Sequence, residues 1–139
     1  MDASAVKEFF SGKDNLTYSD VCDVYGFDEP SGYFFFQITA NPSNGKCEYI
    51  ELKHAVLNVN FGDMKLIERL AQTPLFEGGV ASFHGADISF DPTIFQIVAA
   101  KKIPFEGLSD MEGVESEFKK CIEELSQIGS EYASSVKNS

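Results

Sequence analysis

Tryptophan is absent from this chain of 139 residues, histidine occurs only twice, and 11 bases stand against 22 acids. Each shortage excludes something. No Lys/Arg cluster is larger than Lys101-Lys102, so there is no basic face to neutralise nucleic-acid phosphates. The same deficit argues against anionic membranes. No apolar run approaches the roughly 20 residues that a membrane helix needs. The segment Met1-Asp2-Ala3-Ser4 has neither a basic nor an apolar leader character, and the expected location is cytoplasmic. Cys22, Cys47 and Cys121 are an odd, widely spaced set without a CxxC pair, which in a reducing compartment reads as small buried hydrophobes.

The motifs of common chemistries are missing as well. HxxxH, HExxH and CxxC do not occur, nor does a twelve-residue calcium loop, a GxxxxGK[ST] or GxGxxG phosphate loop, or GxSxG. The expectation is therefore no metal, no cofactor and no catalytic residue. His54 lies among Ile50, Leu52 and Val56 and His84 lies in Phe83-His84-Gly85; both read as structural. The acidic turns at Asp20–Asp23 and Asp87–Asp91 read as solvated charge.

What the chain does have is apolar bulk and acid. Hydrophobic residues make up 43% and charged residues 24%, the balance of a globular domain with a full core. The acid is uneven. Residues 1–33 carry seven acids against two lysines, and residues 106–139 carry eight against three. The stretch between them carries seven acids and six bases. Thirteen Phe and five Tyr are a generous supply of rings.

The periodicities place the elements. Ser4 is positioned to cap a short helix whose Val6, Phe9 and Phe10 fall at i, i+3, i+4. Residues 17–27 lean towards strand, and Asp28–Gly32 is a turn. Tyr33–Thr39 and Cys47–Val56 form a hairpin through Asn44-Gly45. Asp63 caps a helix with the stripe Met64, Ile67, Leu70 and Ala71, which Thr73-Pro74 ends. Val80–Phe90 is a strand region interrupted near Gly85, and Thr93–Lys101 is another strand. Ser109-Asp110-Met111-Glu112 is a capping box opening a helix that runs past Tyr132. The predicted order is α-β-β-β-α-β-β-α. It makes one α+β domain over residues 1–139 with a five-stranded, largely antiparallel sheet.

Four successive aromatics, Tyr33, Phe34, Phe35 and Phe36, put two rings on each face of their strand. If one face packs on helices, the other offers rings to a partner. Together with the strand Tyr49–Leu52, the run Met64–Leu70, Gly78–Phe83, Ile103-Pro104-Phe105 and the closing helix after Leu108-Ser109, the element order resembles the class I type III secretion chaperones of Gram-negative bacteria (Tir-chaperone-like). The resemblance implies a non-enzymatic homodimer that holds the N-terminal region of a secreted effector in a secretion-competent state. It implies an effector-binding surface at Val6, Phe9, Phe10, Tyr33, Phe34, Phe35, Phe36 and Ile38. It also implies a dimer seam at Met64, Ile67, Leu70, Val80 and Phe83. The alternative is a small enzyme or apolar-ligand binder with a pocket between sheet and helices, using His54 or His84.

Overall fold

In the computed structural model, which describes residues 1–138, three helices pack on one face of a seven-stranded antiparallel sheet. The order is α1 (Ala3–Ser11), β1 (Thr17–Ser19), β2 (Val24–Glu29), β3 (Gly32–Ala40) and β4 (Cys47–Asn58). There follow α2 (Met64–Ala71), a 3₁₀ turn (Pro74–Glu77), β5 (Ala81–Phe83), β6 (Ala86–Asp91), β7 (Gln96–Pro104) and α3 (Met111–Lys137). Across the sheet the strands run β1-β2-β3-β4-β7-β6-β5. The α+β class and the antiparallel sheet follow the expectation; the count of five strands and the order α-β-β-β-α-β-β-α do not, since four strands precede α2 and three follow it.

The two additional strands have three residues each and form the two edges. Each comes from a stretch whose composition reads as one strand region. Asp23, at φ 54°, helps fold residues 17–29 back on themselves. His84 and Gly85, at φ 50° and 85°, make the two-residue turn between β5 and β6, as a tight hairpin requires. Such short edges offer little ladder to an intruding strand. Strand β7 also begins three residues later than expected, because Thr93–Phe95 belong to the turn after β6.

The β3–β4 hairpin forms as expected, with Gly45 at φ 71° and a bulge after Thr39. Side-chain alternation sends Phe34, Phe36 and Ile38 inward, opposite His54, Leu52 and Ile50. These meet Val114, Phe118, Leu125 and Ile128 of α3 in one core cluster. Phe36 lies at its centre, stacked on Tyr25 at 5.0 Å and edge-on to Phe118 at 4.9 Å. Tyr33 and Phe35 point the other way, stacked on each other at 5.9 Å, with Lys53 over Phe35. Tyr33 also leans across Gly26, where a Cβ would meet its hydroxyl, so the glycine's missing side chain is covered by the ring.

The helix caps differ in detail from the sequence reading. Asp2, not Ser4, precedes α1, and the Ser4 hydroxyl donates to the Asp2 carboxylate at 3.0 Å. The start of α1 is tied to the hairpin loop by Ala3 N–H to the Gly45 carbonyl and by Cys47 N–H to the Met1 carbonyl. Asp63 caps α2 through the Leu66 N–H, as expected. On α3 the cap falls one residue later than Ser109: Asp110 accepts from the Gly113 N–H at 2.9 Å. Arg69 closes the other end of α3 with hydrogen bonds of 2.7 Å to the carbonyls of Val136 and Lys137. Among the described residues no helix is long and apolar enough to cross a membrane.

Candidate functional site

Helix α1 has only nine residues, and it buries Val6 and Phe10 against the sheet. Helix α3 has 27 and lies over β4 and β7. The short helix cannot cover the flank of the long one, and a furrow remains between them. Three cavities of about 490, 300 and 510 Å³ follow one another along α3. The first two share Phe9, Glu115 and Lys119; the second and third share Glu29 and Ile122. From Met111 to Ser126 the helix rises about 22 Å at 1.5 Å per residue. That length fits roughly six or seven residues of extended chain at ~3.3 Å each.

The floor is apolar. Phe10, Phe27 and Phe118 show only their edges, while Phe9, Leu16 and Ile122 are half-buried. Phe9 stands edge-on to Phe10 at 5.3 Å, at the junction of the first two cavities. The rim is charged and ion-paired. The Lys13 ammonium lies 4.6 Å above the Phe9 ring and 3.5 Å from Glu115, and Lys119 reaches Glu115 at 3.3 Å. The Lys119 hydrogen bond, with Lys13 nearby, holds the Glu115 carboxyl below its ordinary pKa. At the far end the hydroxyls of Ser31 and Ser126 meet at 2.8 Å, pinning the β2–β3 turn to α3. The arrangement can hold an apolar chain segment and offers both signs of charge along its lip.

The residues expected to bind an effector divide sharply. Phe9 lines the furrow, and Phe10 contributes an edge to it. Tyr33 is exposed and Phe35 half-buried, but both lie on the opposite face of the sheet. Val6, Phe34, Phe36 and Ile38 lie inside the core and are corrected as contact residues: strand and helix periodicity turns them towards α3 and the sheet interior. The furrow residues that sequence reasoning missed are Leu16, Phe27, Ile122 and the Lys13–Glu115–Lys119 set. Their spacing on α3 (Glu115, Lys119, Ile122) marks a solvent-side stripe, but only the packing of α1 makes it one wall of a furrow.

The expected dimer seam divides too. Met64 and Val80 are exposed, and Ile67 and Phe83 are half-buried, Phe83 resting on Tyr132 at 5.4 Å. Leu70 is corrected: with Leu66 it fills the chain's own core, because the inward stripe of α2 is set one step round from Met64 and Ile67.

Neither histidine lines the furrow. His84 is exposed on its turn, 3.6 Å from Glu131. His54 is 2% exposed, stacked on Phe34 at 4.0 Å, with its Nδ1 3.1 Å from the Tyr33 carbonyl. Burial pushes its pKa below the ordinary 6.5, partly opposed by that carbonyl. The unfolded chain therefore takes up a proton more readily, so this contribution to stability is complete above pH 6.5 and falls away below it. Urea midpoints are expected to drop between about pH 7.5 and 5.5, and His54→Phe is expected to flatten that slope. An unchanged slope in the variant would assign the pH dependence to other groups. Cys22 is exposed, against the expectation, whereas Cys47 and Cys121 are buried, and burial pushes both of those thiols up to about 11, so they keep their protons at neutral pH.

On the other flank of α3 a cleft of about 310 Å³ sets Lys101, Lys102 and Lys120 against Glu106, Glu117 and Glu124. Lys101 and Glu124 meet at 2.7 Å, and the cleft is close to neutral. Set beside known proteins, the chain matches no family model, no curated protein and no solved structure.

Proposed function

We propose that this chain is a non-enzymatic protein-binding chaperone that cradles an apolar stretch from the N-terminal region of a type III secreted effector. The observation that carries the reading is the furrow along α3: long, floored with phenylalanine in its middle section where α1 walls it, rimmed there by paired charge and open to solvent. A furrow of this shape accepts an extended segment without requiring one fixed sequence, which is what keeping a client unfolded demands. In this reading the protein acts in the cytoplasm as a homodimer. Met64, Ile67, Val80 and Phe83 supply the apolar part of the seam.

The test is calorimetric titration of the purified protein with the N-terminal segments of secreted effectors encoded in the same genome, with light scattering to give its assembly state. Wild type is expected to bind at least one segment and to run as a dimer. Phe9→Asp is expected to abolish binding while leaving circular dichroism and the melting midpoint close to wild type, since Phe9 is half-exposed. Equal binding by Phe9→Asp, or no binding of any segment, would sink the chaperone reading. A strict monomer at micromolar concentration would remove the seam.

A further inference from the structure

Four phenylalanines from three separate stretches of chain meet away from the furrow. Phe61 comes from the loop after β4, Phe76 from the 3₁₀ turn, Phe90 from β6 and Phe95 from the β6–β7 turn. Ring centroids lie 5.9 Å apart for Phe61–Phe95, 6.5 Å for Phe61–Phe76, 5.1 Å for Phe76–Phe90 and 6.3 Å for Phe90–Phe95. The four close into a ring. Phe76 and Phe90 pack against the core, whereas Phe61 and Phe95 are 57% and 51% exposed. Ile94, next to Phe95, is exposed too.

Phe95 is held at φ 53°, a left-handed conformation that is unfavourable for a residue with a side chain. Core burial does not offset that cost, because half the ring is in solvent. The Val59 N–H fixes the Phe95 carbonyl at 3.0 Å, and the result is a ring presented beside Phe61. Residues 59–63, 74–79 and 90–96, which build the cluster, contain Asp63, Glu77 and Asp91, and the one base close to them in the chain is Lys65.

We propose that this cluster docks a cationic apolar segment of a partner protein, one in which leucine- or isoleucine-like residues alternate with Lys or Arg. Aromatic faces attract ammonium and guanidinium groups, and the three acids add attraction that outweighs the one neighbouring base, Lys65. A second copy of this chain is the poorer fit, since it would bring the same three acids against themselves. The surface shares no residue with the furrow, so either site can fail without the other.

The test uses two labelled amphipathic peptides of equal length, one of Leu and Lys and one of Leu and Glu, followed by fluorescence anisotropy. The Leu–Lys peptide is expected to bind wild type, and the Leu–Glu peptide is not. Phe95→Gly removes the ring and relieves the backbone, and Phe61→Ser removes its neighbour; each is expected to weaken binding at least about tenfold, as for central aromatic contacts. Glu77→Lys, at an exposed position, is expected to weaken it at least about threefold. Phe9→Asp is expected to leave it unchanged. Full binding by Phe95→Gly would show that net charge alone draws the peptide and would overturn the proposal. Equal binding of the Leu–Glu peptide would do the same. So would a wild-type oligomer that Phe61→Ser or Phe95→Gly dissociates, because the cluster would then be a contact between copies.

Discussion

Replacing Phe36 with alanine is expected to lower the free energy of unfolding by about 4 kcal/mol, within the range for emptying a large site in a packed core. The ring touches four others: Phe10 at 5.0 Å, Tyr25 at 5.0 Å, Phe27 at 6.2 Å and Phe118 at 4.9 Å. Those neighbours belong to α1, β2 and α3, and each is fixed by its own element. The cavity therefore cannot close by the movement of one side chain, which puts the cost near the upper part of the range. Against a total stability of about 5–15 kcal/mol for a domain, the loss is large. In urea the midpoint is expected to fall by roughly 2 M or more at an ordinary m-value. Phe35→Ala, one residue away on the opposite face, is expected to cost less than about 1 kcal/mol. Equal losses at the two positions would mean that the assignment of faces is wrong.

That contrast shows how far periodicity reaches. Alternation states that Phe34 and Phe36 share a side, but Tyr33 and Phe35 satisfy the same rule. What decides between them is the partner strand: Phe34 and Phe36 stand opposite His54 and Leu52, and Phe35 stands opposite Lys53. The β3–β4 hairpin and α3 were legible because each combines a long repeat with a clear start or turn signal. The edges β1 and β5 were not. Three residues are too few to show a period, and the positive φ at Asp23 and His84 is not announced by their residue types as a glycine's would be.

The candidate site was legible only in Phe9, a second aromatic beside Phe10 on a helix too short to bury both. The other wall of the furrow depends on where α3 lies, a tertiary fact with no local signature. The α2 stripe failed for a related reason. Met64, Ile67, Leu70 and Ala71 keep helical spacing, but so do Leu66 and Leu70, and the core took the second pair. An eight-residue helix holds two such stripes, and packing against α3 chooses.

Gly129→Ala sets local preference directly against packing, and packing is expected to win by about 2 kcal/mol. An alanine in mid-helix normally gains about 1 kcal/mol over glycine, and α3 runs unbroken through this position to Lys137. A Cβ at residue 129, however, would lie 2.5 Å from Cγ1 of Val56 and 3.0 Å from Cδ2 of His54. Neither neighbour gives way easily. Val56 is β-branched, with few rotamers, and sits at the irregularity in β4 between Ala55 and Leu57. His54 is held by the Tyr33 carbonyl and the Phe34 ring. Helix α3 must then lift from the sheet, loosening Leu125, Ile128 and Tyr132 on the same stripe; overpacking costs roughly 1–3 kcal/mol, and a contact this close falls at the upper end, which less the helical gain leaves the net loss of about 2 kcal/mol. Urea denaturation of Gly129→Ala, Val56→Ala and the double variant separates the two contributions. The double variant is expected to be more stable than the sum of the single losses predicts, because the shortened Val56 side chain leaves room for the new methyl. A Gly129→Ala protein more stable than wild type would mean that α3 does not rest on β4 at this point.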